Sequence, residues 1–392
     1  ERLKELFNGA RQVGAELFLL DDGWFGNGPY SRDDDKHGLG DWEPSTKKLP
    51  RGLSYIAKEA LKRKVDFGIW IEPEMVNPQS ELYQKHPDWI ITQPKRTPIL
   101  GRHQEILDLT RPEVQAFEWQ VIDKTLRPNP DISYVKWDCN RYITQPGSGY
   151  LQPAEQSHLW IDYNWALYRL MERFSKEFPN VMAMLCAGGS GRVDYGALPY
   201  FHSFWPSDNT DPLGRIKIQW GFSHFFPAST ISAHVTRMGK RHLKLAIDVA
   251  LSGAFGIDLA LDKATAEERV QIADAVKLYK ASIRPLVMQG ELYRLVSPYE
   301  HPMASLSYVS TDKNDAVVYL YQIQDGSVPQ VILGGLDARK NYRVEEVGLP
   351  KGSTSRFPGH GKIFSGAELM STGIANPLNA QFESAILLLK TQ

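Results

Sequence analysis

The segment YVKWDCNR, residues 134–141, places polar side chains directly after an apolar run. Successive side chains of a β-strand point to opposite faces, so Lys136, Asp138 and Asn140 share one face and Val135 points to the other. The ammonium group of Lys136 favours the ionised carboxylate of Asp138 and lowers its pKa. Because a carboxylate must be charged to attack, the segment predicts a nucleophile. The alternative is a structural salt bridge at a strand end.

A second carboxyl group with the opposite surroundings occurs in FHSFWPSDNTD, where Asp208 follows the apolar residues 204–206. Apolar surroundings disfavour a charged carboxylate, and a general acid must carry its proton. Asp211 competes for this role, although its place before a proline is typical of a turn or a helix start. Retaining glycoside hydrolysis requires one ionised and one protonated carboxyl group, about 5 to 5.5 Å apart. Asp138 and Asp208 are the candidates for these two roles.

Side chains suited to holding a sugar occur in three further segments. Asp21 and Asp22 follow an apolar run, and a buried pair of carboxylates is costly unless it binds something. Trp70 in IWIEPE is suited to an aromatic wall, with core packing as the alternative. Arg102 lies on a predicted loop before the predicted strand ILDLT, residues 106–110, and is either a ligand contact or a solvated side chain. These residues favour a hydroxyl-rich ligand.

Composition excludes several other classes of function. The formal net charge of −1 gives no general attraction to nucleic acid or to an anionic membrane. No run of about 18 apolar residues is present to span a bilayer. The two cysteines cannot form a disulfide framework, and HExxH and CxxC are absent, so we expect no metal. AGGSGR, residues 187–192, lacks the P-loop lysine, so we expect no nucleotide cofactor.

The start of the chain bears on its location and completeness. The opening ERLKELFNGA has no methionine and already follows a helical pattern, so we expect the sequence to be a piece of a longer protein. No signal peptide is visible. We therefore expect a cytoplasmic location, unless residues upstream of Glu1 carry a signal.

Helices and short apolar runs alternate through the first part of the chain. This order predicts a parallel β-sheet with helical connections. Polar residues collect at the carboxyl ends of the predicted strands, as in a (β/α)₈ TIM barrel, whereas a doubly wound sheet concentrates its site at one switch point. The barrel is one strand short, and the missing strand is expected before residue 1. The predicted helices cover residues 1–13, 53–64, 112–126, 158–178 and 265–283.

The pattern changes after about residue 295. Short β-rich runs separated by glycine, aspartate, asparagine and proline then predict an antiparallel, β-sandwich-like domain. All ten tryptophans precede this part of the chain. We expect a catalytic barrel over residues 1–295 and a C-terminal antiparallel β domain over residues 296–392.

Several ordered motifs carry a resemblance to one family. LFLLDDGWFG, FGIWIEPEMVNPQSELYQKHPDWII, YVKWDCNR, CAGGSGRVDYG and WPSDNTDPLGRIKIQ together resemble glycoside hydrolase family 36, the microbial α-galactosidases. The resemblance covers residues from about 10 to 260. It implies a retaining exo-α-galactosidase that acts on melibiose, raffinose and related oligosaccharides without a metal or another cofactor.

The resemblance also implies residue roles. Asp138 matches the family nucleophile and Asp208 the acid/base. Asp21 and Asp22 would bind galactose hydroxyls, with Trp70 and Arg102 around the sugar. Lys136 and Asn140 would flank the nucleophile, and the sugar wall would be completed by Cys186, Gly189 and Trp205.

Some alternatives stay open at the level of sequence. Family members carry a large N-terminal β-sandwich before this region, so the oligomeric state is open, with a homo-oligomer among the expected states. Cys139 replaces a methionine of many relatives, on the face turned away from the predicted site. The same residues also suit an α-galactosyl transglycosylase of the raffinose or stachyose synthase type, or an α-N-acetylgalactosaminidase. A non-catalytic sugar-binding module is the alternative from a different class.

Overall fold

A computed structural model describes residues 1–392. The chain divides into two compact units. The first comprises Glu1–Arg11 with Ala15–Trp205, and the second comprises Gln12–Gly14 with Pro206–Gln392. None of the helices combines the length and the apolar character needed to cross a lipid bilayer.

The first unit is built on a five-stranded parallel sheet. The strands of this unit are β1 (Leu17–Leu20), β2 (Asp66–Ile71), β3 (Met75–Val76), β4 (Glu105–Ile106), β5 (Ile132–Trp137), β6 (Met182–Leu185) and β7 (Ser203–Phe204). Its helices are α1 (Arg2–Gln12), α2 (Gly52–Leu61), α3 (Glu81–Lys85), α4 (Pro112–Leu126) and α5 (Leu159–Glu177). The order of the parallel sheet is β1-β2-β5-β6-β7. Its strands are joined by long connections, as parallel pairing requires: α2 lies between β1 and β2, α4 between β2 and β5, and α5 between β5 and β6.

Helices α1, α2, α4 and α5 begin within one residue of their predicted starts, whereas the short helix α3 was not predicted. Pro112 opens α4, where its missing N–H costs no hydrogen bond. Phe7 and Ala10 form the buried face of α1, and Phe7 packs edge-on against Phe18 of β1 with ring centroids 4.9 Å apart. The predicted parallel α/β architecture is thereby confirmed for this part of the chain.

One expected strand differs from the structure. The run ILDLT, residues 106–110, was expected to form a strand, but the observed strand consists of Glu105 and Ile106, so only the first residue of the run belongs to it. They pair antiparallel with Met75 and Val76 instead of joining the parallel sheet. Asp108 explains the early end, because its carboxylate accepts hydrogen bonds from the backbone and hydroxyl of Thr110 and turns the chain.

The second unit begins with helices around a parallel pair of strands and ends in antiparallel sheets. The first elements are α6 (Pro212–Phe222), β8 (Ser232–Val235), α7 (Leu243–Ala250), β9 (Ala254–Ile257), α8 (Ala266–Leu278) and α9 (Arg284–Gln289). Strands β8 and β9 pair in parallel. Strand β9 was not predicted, because it has only four residues, AFGI, and one of them is glycine. Thr265 and Glu268 form the predicted capping box of α8.

The C-terminal part confirms the predicted antiparallel sheet. Six strands have the order β10-β11-β12-β17-β14-β15, and β13 pairs with β16 in a separate two-stranded sheet. The elements are β10 (Glu291–Val296), β11 (Met303–Val309), β12 (Asp315–Gln322), β13 (Gln330–Val331), β14 (Asn341–Val347), β15 (Ile363–Ser365), α10 (Gly366–Ser371), β16 (Ile374–Ala375) and β17 (Ser384–Thr391). Val318, Leu320, Val344 and Leu387 belong to the apolar core of this region.

Tyrosine hydroxyl groups satisfy the backbone at the C-terminal end of α7. The last carbonyls of a helix lack intrahelical partners and must find others when buried. Four phenol groups donate to carbonyls here, one in the last turn of α7 and three in residues 251–253 that follow it: Tyr321 to Asp248 O at 3.1 Å, Tyr319 to Leu251 O at 2.8 Å, Tyr308 to Ser252 O at 2.7 Å and Tyr279 to Gly253 O at 2.9 Å. Helix α7 is thereby tied to β11 and β12 through polar as well as apolar contacts.

Candidate active site

Asp138 is the first residue after β5 and is only 4% exposed. Val135 and Trp137 of this strand are fully buried, whereas Lys136 between them is half-buried, so the predicted alternation is present. The backbone N–H of Asp138 donates to the carbonyl of Ile71 at the end of β2, at 2.8 Å. The main chain of the candidate nucleophile is therefore fixed to the neighbouring strand.

The carboxylate of Asp138 receives several hydrogen bonds. Trp70 Nε1 donates to Oδ2 at 3.0 Å, and the backbone N–H groups of Cys139 and Gly188 donate to Oδ1 at 2.8 and 3.4 Å. Burial alone would raise the pKa of Asp138, but the charge of Lys136 and the hydrogen bonds from Trp70, Asn140 and Cys139 hold it below its ordinary value. Asp138 is thus a buried carboxylate that stays ionised.

Lys136 makes its direct ion pair with another predicted site residue. Its Nζ lies 2.8 Å from Asp21 Oδ2. Burial opposes the charge of Lys136, but the carboxylate of Asp21, with the smaller effects of Cys186 and Asp138, raises its pKa above the ordinary value. The ammonium group therefore stays charged between two carboxylates, one of which is the candidate nucleophile.

Asp22 has a different cation. Arg32 donates to both of its carboxylate oxygens, through Nη2 at 2.7 Å and Nε at 3.0 Å, and the guanidinium is almost completely buried. The backbone N–H of Asp22 also donates to Asp21 Oδ1 at 2.9 Å. Asp21 and Asp22 are both exposed, so the expected buried pair of carboxylates is not present, and each carboxylate has a cation of its own. The sequence offered no signal for Arg32, because a single arginine before an acidic run has no distinctive spacing.

Trp70 belongs both to the core and to the site. It is 2% exposed, and its ring stacks with Phe25 at a centroid distance of 6.1 Å and an interplanar angle of 7°. Trp24 Nε1 donates to the carbonyl of Trp70 at 2.9 Å. The aromatic cluster fixes the indole so that its own N–H reaches Asp138. The two alternatives for this residue, packing and site contact, are therefore compatible.

Cys186, Gly189 and Trp205 lie together near Asp138. The thiol of Cys186 is buried and packs with Trp205 and Met184. Burial, and next the charge of Asp138, raise the pKa of this thiol well above the ordinary value, so it remains an S–H group. Gly189 has φ 103°, a backbone conformation that residues other than glycine rarely adopt. Its carbonyl accepts a hydrogen bond from the N–H of Ala187 at 2.7 Å.

Arg102 is about half exposed and has φ 51°. Its Nε lies 3.7 Å from Asp35 Oδ2. No hydrogen bond joins it to Asp138. Its charge acts on the neighbouring Glu72, so it belongs to the rim of this group of residues.

Asp208 lies in the second unit, shortly before α6. Its side chain is exposed, so the carboxyl group does not have the apolar surroundings expected from residues 204–206. Burial lowers the pKa of Arg215, on α6, to about 10, and the charge of Asp208 opposes that shift. Asp211 is the N-cap of α6, where its carboxylate accepts from the N–H of Leu213 at 3.4 Å and lies 3.5 Å from Arg241. The prediction that Asp211 marks a helix start is confirmed.

The sequence did not single out a buried polar network beside Asp138. Glu74 accepts hydrogen bonds from Trp137 Nε1 at 3.1 Å and Tyr163 Oη at 2.8 Å, and it forms an ion pair with Arg192. Arg192 Nη2 also donates to the backbone carbonyl of Asp138 at 3.2 Å. The available signals were the EPE triplet after β2 and the arginine that ends GGSGR after β6, at the carboxyl ends of the two strands that flank β5.

Metal ligation is not suggested by this geometry. No group of three or more His, Cys, Asp or Glu side chains is arranged to hold a metal ion. The cations that balance the carboxylates here are Lys136, Arg32 and Arg192. The arrangement can hold one ionised, well-oriented carboxylate beside an S–H group and an aromatic surface.

Comparison with known protein families gives two adjacent matches. Residues 1–290 match the Melibiase family model, and residues 303–389 match the glycosyl hydrolase family 36 C-terminal domain. Among curated proteins, the α-galactosidase AgaA of Geobacillus stearothermophilus is 39% identical over 386 residues, which are 96% of this chain and 50% of that protein.

Solved structures agree with these matches. Variants of the Geobacillus stearothermophilus enzyme, crystallised with raffinose and with stachyose, are 37% and 38% identical to this chain. Each superposes with a TM-score of 0.91 and covers 100% of this chain and 53% of the other. The chain therefore spans about half the length of the curated relatives that it matches.

Proposed function

The chain belongs to glycoside hydrolase family 36, and from this membership we propose that it is a retaining exo-α-galactosidase. The proposed substrates are melibiose- and raffinose-type oligosaccharides with a terminal α-linked galactose. The observation that carries the proposal is the carboxylate of Asp138, which is buried and ionised and is oriented by Trp70, Cys139 and Gly188. The relatives crystallised with raffinose and stachyose support the substrate class.

The proposed reaction is a double displacement. A carboxylate oxygen of Asp138 attacks the anomeric carbon, the bond from that carbon to the leaving oxygen breaks, and Asp208 gives its proton to the leaving oxygen. Asp208, now ionised, then takes a proton from water, which attacks the anomeric carbon and releases Asp138. Two inversions return galactose with the α configuration.

The remaining predicted residues have proposed roles around the sugar. Asp21 and Asp22 would accept from galactose hydroxyls, and Lys136 would bridge Asp21 and the nucleophile. Asn140 would orient Asp138, and Arg102 would lie at the rim. Three further residues, Cys186, Gly189 and Trp205, would form the wall, with the S–H group of Cys186 near the 2-hydroxyl. Trp70 would contribute an aromatic edge through its fixed indole.

We further propose that the parallel strands form a (β/α)₈ TIM barrel. The parallel order in the first unit and the parallel pairing of β8 with β9 in the second support it, as does the superposition on family 36 structures. The proposed domains are a catalytic barrel over residues 1–295 and a C-terminal β domain over residues 296–392. Matches of the two family models to residues 1–290 and 303–389 support this division.

The chemistry assigned to these two carboxylates uses neither a metal nor another cofactor. We propose a neutral oligosaccharide as the binding partner, and nucleic acid and membranes are not among the proposed partners. The cytoplasmic location and the oligomeric state, including a homo-oligomer, stay predictions.

Azide rescue tests the two carboxylate roles separately. With p-nitrophenyl α-galactoside as substrate, Asp138→Ala should lose activity and regain it with azide, which attacks from the vacated side and gives β-galactosyl azide. Asp208→Ala should give α-galactosyl azide, because azide then attacks the covalent intermediate. Asp211→Ala is the control: it loses a helix cap worth about 1 kcal/mol and should keep its activity.

Full activity in Asp138→Asn would overturn the nucleophile assignment. Oligosaccharide as the main product at high sucrose would instead indicate the transglycosylase.

A further inference from the structure

We propose that Glu72 carries a proton in the native protein and acts, as a neutral carboxylic acid, as a positioning residue for Asp138. The inference rests on the proposed function of Asp138 as the nucleophile. It concerns a residue to which no role has been given so far, at the end of β2.

Glu72 lies directly against the segment that carries the nucleophile. It follows Ile71, the last residue of β2, and its side chain is completely buried. One carboxyl oxygen, Oε1, accepts a hydrogen bond from the backbone N–H of Asn140, two residues after Asp138. The other, Oε2, lies 3.5 Å from Gln104 Nε2. Glu72 therefore fixes the main chain of residues 138–140 through the N–H of Asn140, and Arg192 fixes it through the carbonyl of Asp138.

The number of donors distinguishes the buried carboxyl groups of this region. Asp138 receives hydrogen bonds from an indole and two backbone N–H groups, and it has a lysine beside it. Glu74 has an ion pair with Arg192, an indole and a phenol. Glu72 has one firm donor, Asn140, and one distant donor, Gln104. A buried carboxylate with so few donors is costly, and a proton removes that cost.

Gln104 offers an acceptor for this proton. Its side chain is fully buried, and its Oε1 has no hydrogen-bond partner. A half-turn of the amide exchanges its oxygen and nitrogen within the same volume and brings an acceptor to Oε2 of Glu72. The protonated carboxyl group can then donate to Gln104 while it still accepts from Asn140.

On balance, the charges around Glu72 also favour its protonated form. Asp138 and Asp22 are negative, whereas Arg102 and Arg32 are positive. The thiol of Cys139 also lies within electrostatic reach, and the pKa of that thiol is raised, so it is neutral. Burial, and next the charge of Asp138, raise the pKa of Glu72 to about 8, against the Asn140 N–H and Arg102. The two neighbouring carboxyl groups thus have different protonation states, with Asp138 ionised and Glu72 neutral.

This division has a consequence at alkaline pH. When Glu72 loses its proton, an unpaired negative charge appears in the interior beside Asp138. Such a charge draws the side chain towards donors or water, and residues 138–140 move with it because Asn140 is bonded to Glu72. Displacement of a nucleophile by about 1 Å can cost about 100-fold in rate, so a partial displacement lowers kcat.

The test compares the protein with Glu72→Gln, whose amide resembles the neutral acid. Because the folded-state pKa is raised above the ordinary 4.5, the stability that the proton confers is present below pH 4.5 and is lost as the pH rises through about 8. The melting temperature of the wild type relative to E72Q should therefore fall by several degrees between pH 5 and 9. Over the same range kcat of the wild type should fall about tenfold more than kcat of E72Q, with similar KM values.

A matched control is Asp248→Asn. Asp248 is also a fully buried carboxyl group, and it accepts hydrogen bonds from Lys244 and Ser384 rather than from residues 138–140. Its kcat profile should coincide with that of the wild type.

Each other outcome has a definite meaning. A constant melting-temperature difference between wild type and E72Q from pH 5 to 9 would contradict the proposal that Glu72 is protonated. An E72Q protein that does not fold would contradict it as well. A changing difference with coincident kcat profiles would overturn the positioning role. Absence of galactosidase activity in every variant would contradict the proposed function, while the melting temperatures would still decide the protonation of Glu72.

Discussion

The indole N–H of Trp70 donates to Oδ2 of Asp138 at 3.0 Å, and both residues lie at the carboxyl ends of adjacent parallel strands. The indole cannot turn away from this contact, because Trp70 stacks on Phe25 and its carbonyl accepts from Trp24. A rigid apolar cluster thereby aims a polar donor at the carboxylate. Orientation of this kind is fixed before substrate arrives, and it needs no rearrangement during the reaction.

Replacing Trp70 by phenylalanine should lower kcat/KM about 10- to 100-fold, because a hydrogen bond to a charged group is worth about 1.5 to 3 kcal/mol. Steady-state kinetics with p-nitrophenyl α-galactoside measures the loss. Trp42→Phe is the matched control, since it replaces another buried indole of the same aromatic cluster whose Nε1 makes no hydrogen bond. Equal losses in the two variants would mean that packing, rather than the hydrogen bond, matters.

Replacing Lys136 by methionine should move the acidic limb of the kcat/KM profile upwards by about one pH unit. The charge of Lys136 lowers the pKa of Asp138, so its removal raises that pKa and the nucleophile becomes protonated at a higher pH. A profile from pH 3 to 8 measures the shift. Lys85→Met, which removes an exposed pair with Glu81, should leave the limb in place. An unmoved limb in K136M would indicate that Lys136 serves Asp21 alone.

Arg192→Met should destabilise the protein by about 3 to 5 kcal/mol, because it leaves the buried carboxylate of Glu74 without its cation. Denaturant unfolding measures the change. The double variant with Glu74→Gln should recover part of the loss, since no unpaired charge then remains. Strict additivity of the two substitutions would contradict the coupling seen in the structure.

The sequence predicted one part of this site well and another part poorly. Alternation along β5 placed Val135 and Trp137 in the core and left Lys136 beside Asp138, because a period of two is a local property of the chain. The contact between Arg192 and the carbonyl of Asp138 joins residues 54 positions apart, and it links a side chain to the main chain. No periodicity encodes such a contact, so only the fold reveals it.

The same distinction applies to the secondary structure. Helices α1, α4 and α8 were predictable, because their apolar spacing and end signals are local. Strand β9 was missed, and the short strand β4 was expected to be longer. A strand of four residues or fewer is too short to show the alternation of apolar and polar residues that predicts a strand. Its conformation is decided by pairing with a strand that is distant in sequence.

Tyr319→Phe should lower the free energy of unfolding by about 1 to 3 kcal/mol, because the carbonyl of Leu251 is left buried without its donor. Thermal or denaturant unfolding checks the change. Tyr299→Phe provides a comparison, since its hydroxyl also donates to a carbonyl, that of Lys217, but in an exposed position where water can replace it. Similar losses in both variants would show that the burial of this contact contributes little.

The phenol groups that meet the end of α7 also limit how the C-terminal part of the chain can be exchanged between relatives. A chimaera that received β11 and β12 from a protein without tyrosines at positions 308, 319 and 321 would keep the carbonyls of Asp248, Leu251 and Ser252 but lose the hydroxyls that now satisfy them. Three buried acceptors would then compete for whatever the foreign strands present. Successful grafting therefore requires that α7 and the turn into β9 travel together with the β-sheet, as one inherited unit.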